Sequence, residues 1–203
     1  MPQRHEDSKS SKELFGIIML LILIFGSNIT ISQTKYWEYL TDSERNEFLA
    51  NTHVNSIAVD YFTGKFRASD DSLTFELLDS LTGNKEYNPF YFFLFNKISM
   101  GADGALAEVI PAYSYQLFRN HPAEIISYFT LERLQNSNFE KISGYAKIFG
   151  YAFRINGFVN EENKVNYNDF KIKLTSLLSD ANTEDMKTLE TFLSKIEKVM
   201  ESQ

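Results

Sequence analysis

The sequence has 203 residues, of which 43% are hydrophobic, 23% charged and 15% aromatic, and it contains no cysteine. This composition is typical of a folded globular domain and excludes a disordered, collagen-like or disulfide-stabilised chain. The formal net charge of −7 argues against a nucleic-acid-binding protein, which needs a basic surface to displace counterions. The lack of cysteine also excludes zinc–thiolate sites, iron–sulfur clusters and thiol nucleophiles.

An apolar run lies close to the N-terminus. After a polar start that carries three basic and three acidic residues, positions 14–25 read LFGIIMLLILIF. A charged start, a short apolar run and small residues after it are typical of a secretory signal peptide. Thr30 and Ser32 fit the positions that precede a cleavage site. We therefore predict a signal peptide over residues 1–32 and a mature chain that begins at Gln33.

An uncleaved membrane anchor is the alternative for this segment. A spanning helix needs about 20 apolar residues, and residues 14–31 approach that length only by including Ser27, Asn28 and Thr30. Both interpretations place the rest of the chain outside the cytoplasmic membrane, either periplasmic or extracellular, or anchored and facing outward. Residues 33–203 are expected to form a single globular domain with one hydrophobic core.

Capping signals and apolar periodicity predict that this domain is all-α. Thr41-Asp-Ser-Glu44 has the form of a capping box and predicts a helix over about 42–62, ended by Gly64. The alternation of apolar residues before Gly64 also fits a short hairpin. Asn88-Pro89 predicts the start of an apolar, central helix. Further helices are predicted to begin near residues 70, 103, 122, 138, 170 and 184. About eight helices joined by short turns predict a bundle or a short helical stack.

Three residues are candidates for catalysis, although the chain has no metalloprotease, nucleophile-elbow, phosphate-loop or dinucleotide motif. Asp103 and Glu108 lie near one predicted helix start, and acid–base hydrolysis needs carboxylates in contrasting environments. His121 precedes another helix, where an imidazole can titrate near neutrality. Each also has a structural explanation: Asp103 as a helix cap, Glu108 as part of a polar face, and His121 as a turn residue.

A stripe at helical spacing is a candidate binding surface. It contains Glu108, Ala112, Tyr115 and Arg119, and tyrosine and arginine are common anchors of protein interfaces. The alternative is a solvated helix face whose tyrosine covers a neighbouring element.

Trp37 is a further binding candidate, because it lies between Tyr36 and Tyr39 just after the predicted cleavage site. These aromatic residues either form an exposed patch for a partner or dock back on the domain. In the second case Trp37 and Leu40 would pack against the first helix as a hydrophobic staple.

The loop over residues 156–170 partly matches the spacing of a calcium-binding loop. However, Phe158 stands at the first ligand position and Asn163 at the glycine position. We therefore predict neither a metal site nor a cofactor.

Taken as a whole, the sequence favours a binding or interaction module over an enzyme. We expect an exported, acidic helical protein that recognises another exported or envelope protein, or an apolar ligand, and does not bind nucleic acid. An inhibitor or immunity-type protein, steered by its charge toward a basic partner, is one version. The alternative is a cell-envelope hydrolase that uses Asp103, Glu108 or His121.

Overall fold

The computed structural model describes residues 36–50, 54–136, 139–155, 158–159 and 164–202. The predicted signal peptide or anchor lies outside these residues. The described elements belong to one compact unit, Lys35–Gln203. They begin with a short 3₁₀ turn, Trp37–Tyr39, and nine α-helices follow over the described residues: α1 Asp42–Leu49, α2 Ser56–Phe62, α3 Ser72–Thr82, α4 Pro89–Gly101, α5 Gly104–Asn120, α6 Pro122–Asn136, α7 Glu140–Ile155, α8 Tyr167–Leu177 and α9 Thr183–Glu201. The predicted all-α helical bundle is confirmed.

Several helix boundaries follow from the predicted caps. The Thr41 hydroxyl accepts a hydrogen bond from the Glu44 backbone N–H, and the Glu44 carboxylate accepts one from the Thr41 N–H, so the predicted capping box is present. The Asn88 side chain accepts from two backbone N–H groups of α4, and Pro89 occupies its first turn. Gly64, with φ of 78°, follows the end of α2 as predicted.

The predicted single helix over residues 42–62 is wrong, because the structure has two helices there. Asn55 starts the second one: its backbone is extended, and its side chain accepts from the Ile57 N–H at 2.8 Å. The same side chain donates to the Ser80 hydroxyl at 2.8 Å, and the Tyr91 hydroxyl accepts from the Asn55 N–H at 2.7 Å. These contacts with α3 and α4 fix a new helix start that periodicity within the segment does not reveal.

Two short strands also lie within the segment over residues 156–170 that the sequence predicts to be a loop. Strands β1, Phe158–Val159, and β2, Lys164–Val165, pair antiparallel, with Phe158 opposite Val165. Part of the segment compared with a calcium loop, residues 156–157 and 160–163, lies outside the described residues. Among the residues that the structure does describe, no group of three or more potential metal-ligating side chains occurs.

Aromatic rings fill two regions of the core. Around Phe118, the rings of Phe129, Tyr145, Phe149 and Phe192 lie with centroids 5.0–6.1 Å away, which joins α5, α6, α7 and α9. Near the other end of the chain, the Trp37 ring packs among four phenylalanines: Phe48, Phe62, Phe90 and Phe93. Such pairs stabilise beyond the apolar area that they bury.

The packing of α4 shows why it is central. Most of its residues are buried, as the apolar run predicts, but Phe93, Lys97 and Met100 are less enclosed. These three residues share one face of the helix, because they are spaced by three and four positions. In the part of the chain that the structure describes, no helix is long and apolar enough to cross a bilayer.

Candidate functional site

The structure does not bring the three catalytic candidates together. Asp103 occupies the N-cap position of α5, but its side chain makes no capping hydrogen bond, and it is exposed. Glu108 is exposed on the same helix. His121 is buried at the other end of α5, and its Nε2 lies 2.8 Å from the Asn84 carbonyl oxygen. At 1.5 Å per helical residue, Asp103 and His121 are about 27 Å apart. One active site cannot contain both.

The predicted binding stripe divides between solvent and core. Tyr115 is buried, with its ring 6.2 Å from that of Phe170, whereas Glu108, Ala112 and Arg119 are exposed. Tyr115 and Arg119 border a shallow apolar depression against α8, with a volume of only about 10 Å³. The tyrosine thus covers a neighbouring helix, which is the alternative that the sequence left open.

Trp37 docks back on the domain and is only 3% exposed. Tyr36 is also buried, and its hydroxyl donates to the Glu124 carbonyl oxygen at 2.9 Å. The Arg45 guanidinium donates to the carbonyl oxygens of Trp37 and Glu38, at 3.2 and 3.1 Å. Residues 36–40, hereafter the strap, are therefore held by side chains from α1 and backbone from α6, and an exposed patch that includes Tyr36 and Trp37 is not observed.

A much larger cleft opens between the strap and helices α4, α6 and α7, with a volume of about 560 Å³ that is continuous with solvent. Its wall has an apolar part, formed by Phe93 and Met100, and polar groups from Asn96 and Ser143. Six charged residues also line it, three of each sign: Glu38, Glu132, Glu140, Lys97, Lys141 and Lys147. Pockets of about 300–1,000 Å³ accommodate small ligands, so this α4–α7 cleft is the candidate functional site.

The floor of the cleft contains a cluster of four interacting side chains, Glu38, Tyr128, Glu132 and Lys141, hereafter the Lys141 cluster. The Lys141 Nζ lies 3.1 Å from Glu38 Oε1 and 3.3 Å from Glu132 Oε1, and it also contacts the Tyr128 hydroxyl. That hydroxyl shares its proton between Glu38 Oε1 at 2.9 Å and Glu132 Oε1 at 3.2 Å. One ammonium thus links two carboxylates that come from the strap and α6.

Burial changes the acid–base properties of this cluster. Desolvation raises the pKa of the Glu132 carboxyl above its usual range, although the nearby Lys141 ammonium acts in the opposite direction. Burial also raises the pKa of the Tyr128 hydroxyl, and the Glu38 and Glu132 carboxylates raise it further. Tyr128 therefore stays neutral and serves as a hydrogen-bond donor.

Two buried polar atoms at the cleft have no hydrogen-bond partner among the described residues: Asn96 Nδ2 and Glu38 Oε2. Asn96 is 4% exposed, and its Oδ1 accepts a hydrogen bond from the Tyr145 hydroxyl at 2.6 Å. If the amide were turned by 180°, its oxygen would be the unpartnered atom instead. An unsatisfied buried polar group costs about 1–3 kcal/mol, so this cleft retains unused capacity for hydrogen bonding.

No sequence pattern indicates the Lys141 cluster. Among the other residues of the cleft, Asn96 is unusual in the sequence, since it is a polar residue that interrupts the apolar run of the central helix. Glu38 and Lys141 are 103 residues apart, and they meet only because the strap crosses α6 and α7. No spacing rule connects residues at that separation.

Comparisons with protein families, with curated proteins and with solved structures found no match for this chain. The geometry of the cleft therefore carries the functional assignment alone. Chemically, its polar groups can donate and accept hydrogen bonds, and Glu132 is the lining carboxyl whose pKa burial raises.

Proposed function

We propose that this chain is an exported, acidic binding module whose ligand occupies the α4–α7 cleft. The single observation that carries the proposal is the pair of buried, unpartnered polar atoms, Asn96 Nδ2 and Glu38 Oε2, at a cleft of ligand size. A ligand can place an acceptor against Asn96 Nδ2 and a donor against Glu38 Oε2. Because both protein atoms are already removed from water, these hydrogen bonds form without a further desolvation cost to the protein. Export is proposed from the apolar run at residues 14–25 and the cleavage site predicted before Gln33.

Native mass spectrometry of the protein recovered from the envelope fraction of its own host tests both parts. We expect a chain that begins at Gln33 and a retained ligand mass. The Ser143→Arg variant places a long side chain at the cleft wall and should lose that mass. Ser176→Arg is the matched control, because Ser176 is exposed on α8, away from the cleft. A ligand mass retained equally by both variants would remove the cleft from the proposal, and a full-length chain would favour the anchor.

A partner protein of basic character is the version supported by the net charge of −7. Electrostatic steering accelerates such an association and weakens as ionic strength rises. We expect the association rate to fall at least tenfold between 20 and 500 mM salt, by surface-plasmon resonance against any captured envelope protein. A rate that is independent of salt would contradict this version.

A hydrolase is the second candidate, favoured by the geometry that holds two carboxyl groups, Glu38 and Glu132, against the Lys141 ammonium, while burial raises the pKa of Glu132. Two carboxyl groups in contrasting environments can divide the roles of acid and base. This assignment moves the chemistry from Asp103, Glu108 and His121 to the cleft. Turnover of an envelope polymer that survives Glu132→Gln would refute it.

A further inference from the structure

The ligand class follows first from the charges of the cleft, and this inference rests on the proposed function of that site. Three carboxylates and three ammonium groups line it, and Lys141 is already paired with Glu38 and Glu132. A cleft with balanced charges exerts little net field on a ligand, so it provides no strong selection for a polyanion or a polycation. A neutral ligand meets no electrostatic penalty there.

The hydrogen-bonding groups restrict the ligand further. The floor offers a donor at Asn96 Nδ2 and an acceptor at Glu38 Oε2, while Ser143 adds a hydroxyl at the wall. A ligand hydroxyl both donates one hydrogen bond and accepts up to two, so neighbouring hydroxyls can satisfy donors and acceptors that lie side by side. Purely apolar ligands would leave both buried atoms without partners.

The apolar part of the wall provides the remaining contact. Phe93 presents an aromatic ring, and Met100, one helical turn beyond Asn96, is 43% exposed. The Met100 thioether packs over Gly144, where an added Cβ would lie 2.7 Å from its sulfur. Methionine is unbranched and adaptable, so this part of the wall can adjust its shape to a ligand.

From these features we infer that the α4–α7 cleft binds a neutral, polyhydroxylated ligand, a mono- or disaccharide in its chemical class. Hydroxyl groups contact Glu38, Asn96 and Ser143, and the C–H face of the sugar ring lies against Phe93. The cleft volume of about 560 Å³ accommodates a ligand of this size.

Trp37 provides the measurement. It is the only tryptophan of the chain, it precedes Glu38, and its ring lies 6.1 Å from that of Phe93 at the cleft. Ligand contact with Glu38 or Phe93 should therefore change its fluorescence. The purified protein is titrated with four neutral probes, glucose, N-acetylglucosamine, cellobiose and chitobiose, and with three charged probes, lysine, glutamate and inorganic phosphate.

We expect saturable binding of at least one neutral probe, and a dissociation constant at least tenfold higher in Ser143→Arg but unchanged in Ser176→Arg. Asn96→Asp, which removes the amide donor, should also weaken binding at least tenfold while circular dichroism shows a folded protein. If Asn96→Asp does not fold, Ser143→Arg decides alone.

Two results overturn the inference and separate it from the proposed function. The polyhydroxylated class is wrong if only charged probes bind. It is also wrong if no saccharide binds while Ser143→Arg abolishes the ligand mass retained in native mass spectrometry. In both cases the cleft remains a ligand site. If no probe binds and the retained mass is absent or insensitive to Ser143→Arg, both the inference and the proposed site fail.

Discussion

Gly150 lies where α7 packs directly against α9, and its replacement by alanine tests that packing. An added Cβ would lie 2.6 Å from both Cβ and Cγ1 of Val199, and 3.2 Å from the Ile196 carbonyl oxygen. Carbon atoms in contact are normally about 3.5–4.0 Å apart, so the two helices must separate locally. Val199 cannot relieve the overlap by rotation, because its Cβ position is fixed by the backbone and its χ1 is restricted in a helix.

Two opposing effects determine the magnitude. Alanine improves helix propensity over glycine by about 1 kcal/mol. Overpacking of a filled interface costs about 1–3 kcal/mol, and contact with a β-branched stem rather than a flexible end favours the upper part of that range. We expect Gly150→Ala to lower the free energy of unfolding by about 1–2 kcal/mol. For a domain of this size, each kcal/mol corresponds to about 2–4 °C in Tm.

Two other glycines provide matched controls in urea denaturation followed by circular dichroism. Gly101 is helical at the end of α4, and an added Cβ there would have no neighbour within 4 Å. Gly101→Ala should therefore be neutral or stabilising by up to about 1 kcal/mol. At Gly144 the overlapping atoms are the Sδ and Cε of Met100, the flexible end of a half-exposed side chain, so Gly144→Ala should resemble Gly101→Ala.

A Gly150→Ala protein as stable as Gly101→Ala would refute the close approach of α7 and α9. The double variant with Val199→Ala provides a second check, because that substitution removes Cγ1, one of the two overlapping carbons. We expect it to recover part of the loss, as coupling between residues in contact. Strict additivity would show that the two residues do not meet.

Three further predictions concern the Lys141 cluster, a helix cap and the strap. Because the pKa of Glu132 is raised in the folded protein, its contribution to stability is fully present below its unfolded pKa and is lost as pH rises through the folded pKa. Urea denaturation from pH 4 to 8 should therefore show that the wild type loses stability relative to Glu132→Gln. Parallel pH profiles of the two proteins would contradict this. Asn182 accepts from two backbone N–H groups at the start of α9, so Asn182→Ala should lower the free energy of unfolding by about 1 kcal/mol; an unchanged denaturation midpoint would show that the cap does not contribute. Trp37→Ala removes a ring packed among four phenylalanines and should cost about 3–5 kcal/mol by circular dichroism; a loss under 1 kcal/mol would mean that the strap is not docked in solution.

Features that depend on a few neighbouring residues could be predicted from the sequence. The capping box at Thr41, the Asn88-Pro89 start of α4 and the glycine after α2 each form by hydrogen bonding or backbone freedom within four residues. The apolar run of α4 likewise indicated a central helix, because a helix without a polar face must be enclosed by its neighbours.

Features that depend on distant residues could not be predicted. The interruption between α1 and α2 is fixed at Asn55 by Ser80 and Tyr91, which belong to other helices. The cleft forms only where the strap meets α6 and α7. Each lysine or glutamate that lines it, considered within its own segment of sequence, resembles a residue of an ordinary solvated surface. Asp103 and Glu108 lie at the start of one helix, but both are exposed, and residues close together in sequence do not show whether a cleft forms beside them.

The position of the strap also has a consequence for folding order. Its contacts with Glu124, Tyr128 and Lys141 span 88, 90 and 103 residues, so it is the first described part of the chain to be synthesised and depends on parts made much later. At a synthesis rate of roughly 5–20 residues per second, Tyr36 and Glu38 remain without these partners for about 5–20 s. During that interval the tyrosine side chain is available to chaperones or to aggregation, and only closure of this long loop completes the cleft and covers it.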